Sequence, residues 1–326
     1  MAMRLWFAIL LGGLCFLNLL KAQSSSSLKC LQFLKGASCE CKALRSKIQV
    51  FCSCLPVKTL DLRDLSEDQS LYLASSFHLG NCRNTSVMVF PGAFSYLHIL
   101  ENVTFNDISR LTVESNGISL TSFVDVFTLR FYLIKNLSLR KNAISIHSEG
   151  MNFKIHNSTI MSLMKSAIVG KIRELVMEEM LFKVRPWPGS VVCQGAEGAS
   201  VTMRSVTVKQ GLSGRWIIGN VSRLSIVDSN LRLFPGAFAG VNTNTHGKSQ
   251  FGVVLSGNNF MMPHLPSHTL PSDGFLLSAK RNYIVCRCPN LVWLREPPNN
   301  LFKEGIKASL VCRNATLASV LESCQD

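Results

Sequence analysis

The chain is short of acid. It carries 20 Asp and Glu against 34 Lys and Arg, a net charge of +14. Between residues 97 and 280 the carboxylates are sparse, and Glu178-Glu179 is the only adjacent pair. A polysaccharide hydrolase or lyase needs clustered carboxylates or a calcium site. Neighbours on one strand point to opposite faces, so these two are not expected to share a site. The sequence also lacks a Ser-His-Asp context, a G-x-S-x-G elbow, an H-E-x-x-H pair and a phosphate-binding glycine loop. No histidine stands at ligand spacing to the cysteines, which argues against zinc. His147 and His156 are expected in turns at the surface. Neither enzymatic activity nor a cofactor or metal is therefore expected. After residue 22 no window is free of charge for long enough to cross a bilayer. The last residues, Leu321 to Asp326, have no apolar tail of the kind a lipid anchor requires. Long linkers and low-complexity tracts are absent, and helical periods are scarce across residues 97–275.

What is present points to export. Residues 1–22 read as a secretory leader: Arg4 gives the charge, Leu5 to Leu20 the apolar stretch, and Ala22 a small residue for cleavage. Losing Arg4 and Lys21 with it lowers the charge from +14 to +12. Of the 12 cysteines, Cys15 leaves with the leader, and disulfides are the default for the rest in an oxidising compartment. They gather at the two ends: Cys30, Cys39, Cys41, Cys52, Cys54 and Cys82, then Cys286, Cys288, Cys312 and Cys324. Cys193 stands alone between them. Cys286 and Cys288, one residue apart, are poorly placed to pair with each other, because a bridge needs converging Cβ vectors. Six glycosylation sequons occur, at Asn84, Asn102, Asn136, Asn157, Asn220 and Asn314.

The middle of the chain repeats. Leu111-x-Val113-x-x-Asn116-x-Ile118 recurs as Leu137-x-Leu139-x-x-Asn142-x-Ile144. Val253-x-Leu255-x-x-Asn258-x-Phe260 and Leu277-x-Ala279-x-x-Asn282-x-Ile284 follow the same form. Weaker copies without the asparagine begin at Leu60, Val87, Leu175, Val201 and Leu224, and an atypical one begins at Phe153. The alternating apolar residues suit a short parallel strand with one face buried. The asparagine is expected to turn the chain with a buried amide hydrogen-bonded to adjacent coils. The step from 137 to 175 is too long for one repeat. Phe90-Pro-Gly-Ala-Phe94 returns as Phe234-Pro-Gly-Ala-Phe238.

These features resemble extracellular leucine-rich-repeat proteins. The L-x-L-x-x-N-x-L form is similar to the repeat itself, whose period is about 20–29 residues. The two P-G-A-F segments look like the convex-side segment whose Phe plugs the core between coils. Cys286-x-Cys288-x2-Leu291-x-Trp293-Leu294 with Cys312 and Cys324 resembles the C-terminal cap of that family. Cys30-x8-Cys39-x-Cys41-x10-Cys52 resembles its N-terminal cap, with a longer first gap and the extra Cys54. The resemblance implies the pairs Cys30–Cys41, Cys39–Cys52, Cys286–Cys312 and Cys288–Cys324; Cys54–Cys82 is supposed as the fifth, and spacing alone does not fix the connectivity. It implies a β-solenoid of about nine or ten parallel coils with a disulfide-bonded cap at each end. The expected layout is a leader at 1–22, a cap at 28–56, coils at 57–281 and a cap at 282–326. The alternative fold is a right-handed parallel β-helix, which suits the many Val, Ile and Thr residues.

Such a solenoid binds through its outward strand positions. Arg130, Arg140, Lys141, Lys154 and Arg204 are expected there, beside Glu114, Glu178 and Glu179. The cation excess favours an acidic partner, and outside the cell that means a sulfated glycan or an acidic protein surface rather than nucleic acid. The functional expectation is a secreted, glycosylated binding protein. A glycan-acting or glycan-binding β-helix and a structural matrix component are the alternatives. Arg185-Pro-Trp187-Pro is expected to fold its Trp onto the core, the alternative being an exposed aromatic knob.

Overall fold

The computed structural model describes residues 27–30, 34–44, 47–63, 65, 69–234, 236–242, 251–261, 275–291, 294–295, 301–313 and 315–324. The leader and Asn314 lie outside these residues. The chain winds as a parallel β-solenoid of about nine turns. Each middle turn lays strands on three faces, so the coils stack into three parallel sheets. The first sheet runs from Lys47–Cys54 through Ala74–Gly80, Phe127–Ile134, Ala199–Arg204 and Gly252–Ser256 to Phe275–Lys280. The second runs from Thr59–Leu62 through Leu137–Leu139, Thr159–Leu163 and Asn230–Leu233 to Leu310–Cys312. The third joins Ile118–Thr121, residues 144–147 and 168–170, Val191–Cys193, residues 217–220 and Val241–Asn242. Four long strands bend around a corner and serve two sheets: Asn102–Val113, Ile144–His156, Ile168–Glu178 and Ile217–Val227. A three-faced coil is the arrangement of the β-helix alternative.

Alternation makes the core. On the first sheet, Phe77, Val103, Leu129, Phe153, Leu175, Val201, Leu224 and Val253 form one inward row. Leu79, Phe105, Phe131, Ile155, Met177, Met203, Ile226 and Leu255 form the next, and every member of both is at most 1% exposed. Phe77, Phe105, Phe131 and Phe153 pack in sequence, edge-on or tilted, at 5.4–6.4 Å between ring centroids. Phe94 and Phe238, the last residues of the two P-G-A-F segments, are buried as expected, against Phe77 and Trp216.

The register corrects the repeat. The copies at 60, 87, 111 and 137 belong to the second sheet, where Leu60 pairs with Val87 and Leu111 with Leu137. Those at 153, 175, 201, 224 and 253 belong to the first. The long step from 137 to 175 is a change of sheet. Leu277 misses its row, because a bulge places Leu276 opposite Val253 and leaves Leu277 exposed.

Two corners carry ladders of left-handed residues. Between the first and second sheets these are Asn81, Asp107, Leu133, Asn157, Glu179, Ser205, Asp228, Gly257 and Arg281, with φ of 44–68°. Between the second and third they are Gly92, Asn116, Asn142, Ser166, Gly189, Arg215 and Gly236, with φ of 53–81°. In this second ladder each N–H bonds the next coil's carbonyl, from Gly92 N–H on Asn116 O to Arg215 N–H on Gly236 O. Left-handed backbone disfavours a Cβ, so Gly and Asn recur there. Asn142 is therefore half-buried in a turn and makes no side-chain hydrogen bond, contrary to the expected buried amide.

Disulfides close both ends. Ala37–Leu44 and Lys47–Cys54 form an antiparallel hairpin whose second strand is also the first rung of the parallel sheet. Cys30–Cys41 and Cys39–Cys52 staple this hairpin, and Cys54–Cys82 ties it to the next coil. At the other end helix Leu301–Ser309 buries Phe302 and Ile306, and Cys286–Cys312 and Cys288–Cys324 fasten the segment beyond. Cys193 is free and buried, and burial pushes its thiol up to about 12, so it is not a ready nucleophile.

Candidate functional site

The five expected partner-binding residues do not come together. Arg130, Lys154 and Arg204 stand on the outer face of the first sheet. Arg140 and Lys141 stand at the corner between the second and third sheets, in the turn closed by Ala143 N–H on Arg140 O. The sequence reading mixed two registers, and that merged two surfaces into one.

Of the three expected cations on the first-sheet face, Lys154 and Arg204 are charge-paired, and Arg130 has no ion pair among the described residues. Lys154 Nζ lies 2.8 Å from Glu174 Oε2. Arg204 Nη1 lies 3.5 Å from Glu178 Oε1. His156 sits between two carboxylates, Glu178 at 3.8 Å from Nδ1 and Glu179 at 3.7 Å from Nε2, with Tyr132 edge-on at 6.1 Å. The expectation that Glu178 and Glu179 point apart therefore fails. Glu179 is not a strand residue but the left-handed turn residue, with φ of 53°, and that turn swings its carboxylate back toward His156. Toward the N-terminal end the face becomes aromatic: Phe51 stacks on His78 at 4.8 Å with Lys42 over Phe51. Burial, and then the nearby Arg130 charge, hold the His78 imidazole below its usual value.

The corner between the second and third sheets differs. Its seven turns begin at Phe90, Glu114, Arg140, Met164, Trp187, Ser213 and Phe234. Six of them close with an N–H three residues on donating to the first residue's carbonyl, Ser213 being the exception. Pro at the second place and a left-handed Gly or Asn at the third suit a type II turn. Trp187 begins one of these turns and is 58% exposed, not folded onto the core as expected. Among the described residues the buried tryptophan is Trp216. Lys141, Lys165 and Arg215 are exposed along this corner and form no ion pair among the described residues. Arg140 pairs with Glu114 at 3.8 Å, and Glu114 is the sole acid at the first three places of these turns. Near the two ends, Arg63 lies over the Phe90 ring at 4.0 Å and Arg185 over the Phe234 ring at 3.8 Å.

Sequence reasoning missed Lys165 and Arg215, and of its two readings of Trp187 it favoured the buried one where the exposed one holds. The signal was legible: Arg140-Lys-Asn-Ala-Ile, Met164-Lys-Ser-Ala-Ile and Trp187-Pro-Gly-Ser-Val share the form of the two P-G-A-F segments. A groove of about 510 Å³ lies along the ends of the third-sheet strands, lined by Phe123, His147, Glu149, Lys171 and Gln194 among others. Glu149 and Lys171 pair across it at 3.4 Å. The sequons at Asn84 and Asn157 are exposed, and those at Asn102, Asn136 and Asn220 are half-buried. Among the described residues no group of three His, Cys, Asp or Glu could hold a metal, and no helix is long and apolar enough to cross a membrane. No family model, curated protein or solved structure matches the chain.

Proposed function

We propose that the chain is a secreted, N-glycosylated binding protein that recognises an acidic extracellular partner through the surface of its solenoid. The supporting observation is the cation excess, +14 for the whole sequence and +12 once the expected leader is removed, on a rod whose inward first-sheet rows are wholly apolar. Those rows hold none of that charge, which is carried on a frame held rigid by stacked strands and five disulfides. Such attraction is screened within about 8–10 Å at physiological salt. The test is retention of the protein on immobilised heparin and on an immobilised acidic protein, eluted with sodium chloride. Salt-dependent retention above physiological ionic strength on either matrix is expected. Elution at or below that salt from both would end the reading.

A glycan-acting β-helix is the second reading, favoured by the three-faced coil and by His156 held between Glu178 and Glu179. Release of reducing ends from a polysaccharide by the pure protein, lost in Glu178→Gln, would establish it in place of the first.

A further inference from the structure

We propose that the corner between the second and third sheets is a docking edge for a linear sulfated glycan. Trp187 is its stacking platform, and Lys141, Lys165 and Arg215 are its anion contacts. This rests on the reading of an acidic extracellular partner and moves the contact away from the first sheet.

Four observations converge. The first is alignment. Asn142 N–H bonds Ser166 O at 3.1 Å, Ser166 N–H bonds Gly189 O at 2.7 Å, and Gly189 N–H bonds Arg215 O at 2.7 Å. This ladder sets the turns in a straight file, one coil every ~4.8 Å. The cations therefore form a row along the solenoid axis, which matches a polymer with regularly spaced anions. The second is charge: on the first sheet Lys154 and Arg204 already have carboxylate partners, whereas the row at this corner faces one acid, Glu114, already bound by Arg140. The third is Trp187. Prolines flank it on both sides, its N–H is held by Leu163 O at 3.0 Å, and Ser190 N–H closes its turn at 3.1 Å. The backbone of this exposed Trp is already fixed, so binding has only its side chain to order. Its flat apolar face suits the C–H face of a pyranose, with the sulfates left to the cations on neighbouring coils. The fourth is clearance. No sequon falls in these seven turns, while Asn84, Asn136 and Asn157 lie at or beside the corner between the first and second sheets. An acidic protein would want a broad patch with an apolar centre. This corner offers a narrow row instead.

The experiment measures binding of the full glycosylated chain to a heparin oligosaccharide and to its desulfated form over a series of salt concentrations. Each cation that touches the polyanion contributes roughly one unit to the slope of log affinity on log salt. Lys141→Ser with Lys165→Ser is expected to lower that slope by about two units. Trp187→Ala is expected to weaken binding about tenfold with the slope unchanged, and Trp187→Phe to recover most of the loss. Arg130→Gln with Lys154→Gln is expected to leave both quantities as in the parent. Unfolding temperature is followed throughout, and the exposed lysine pair remains a clean arm should Trp187→Ala unfold. If the first-sheet pair lowers the slope and the corner pair does not, this inference fails while an acidic partner stands. If a polyglutamate peptide of equal charge binds as tightly as heparin and the corner variants lose both alike, the assignment to a glycan fails. If the parent binds sulfated and desulfated forms alike and weakly, the docking edge fails, and the broader reading then stands or falls on its acidic-protein column.

Discussion

Asn142 and Asn258 occupy the same place in what looks like the same eight-residue pattern, yet they do different work. Asn142 belongs to the corner between the second and third sheets. Its backbone is left-handed, with φ of 53°, and its side chain makes no hydrogen bond. Asn258 belongs to the corner between the first and second sheets and is fully buried. Its Oδ1 accepts from Ser229 N–H at 3.0 Å, and its Nδ2 donates to Ile226 O at 2.7 Å and to Asn282 Oδ1 at 2.9 Å. Asn282, also fully buried, donates on to Leu255 O and Ser309 Oγ. An asparagine can thus follow a strand because it tolerates left-handed backbone, or because its amide satisfies buried peptide groups of adjacent coils. Spacing along the chain does not separate the two reasons.

Removing the buried amide should have the larger effect. Asn258→Ala strands the Ser229 N–H and the Ile226 carbonyl, and each unsatisfied group costs about 1–3 kcal/mol. We expect a loss of about 3 kcal/mol or more, read from the midpoint of chemical denaturation. Asn258→Gly should be at least as damaging, because it restores no hydrogen bond. A small effect of either would remove the distinction between the two corners.

Serine performs a lighter version of the same task, which sharpens the contrast. Ser158 Oγ accepts from Ile134 N–H at 3.0 Å and donates to His156 O at 2.8 Å. Ser229 does likewise between Val206 N–H and Val227 O. Ser158→Ala therefore strands one buried N–H, and about 1–2 kcal/mol should be lost. Ser166, on the other corner, makes no side-chain hydrogen bond, so Ser166→Gly should fall within about 0.5 kcal/mol of the parent. Equal losses at both serines would contradict the assignment.

The parts of the fold that were legible in the sequence are those with a local signature. Alternation of apolar residues marked the strands, and Phe94 and Phe238 are buried as the resemblance of the two P-G-A-F segments implied. Four disulfides agree with the pairs the cap resemblance implied, and the fifth, Cys54–Cys82, agrees with a pairing supposed without it. What was not legible was which face a strand joins. Leu111-x-Val113 and Val253-x-Leu255 are chemically alike, and only inter-coil pairing sends one to the second sheet and the other to the first. That ambiguity displaced the candidate site, because Arg140 and Lys141 were counted on the face of Arg130 and Lys154. Glu179 was misread for a related reason. A left-handed glutamate has no sequence signal, and the ladder imposes that conformation on whatever residue occupies the place.

The left-handed places allow two smaller tests. Asn142→Ala should cost about 1 kcal/mol, because a Cβ without Asn's tolerance enters left-handed backbone. Asn142→Gly should be nearly neutral, within about 0.5 kcal/mol. The pair of results matters more than either alone, since a buried hydrogen-bonding role would make both variants equally poor.

Leu133 gives the smallest expected effect and the opposite sign. It holds the left-handed place of its coil at φ of 54°, and its side chain is 45% exposed, so it loses backbone comfort while gaining little burial. The equivalent places above and below are Asp107 and Asn157, residues that accept this conformation more easily. Leu133→Asn should therefore stabilise the chain by about 0.5 kcal/mol, a fraction of the usual cost of left-handed backbone for a branched residue. The variant creates no sequon, because Lys135 follows two residues later. A rise of a degree or two in unfolding temperature is the expected outcome for a domain of this size. A fall would mean that Leu133 owes its place to packing on its neighbours, and that the ladder at this corner is not set by backbone preference alone.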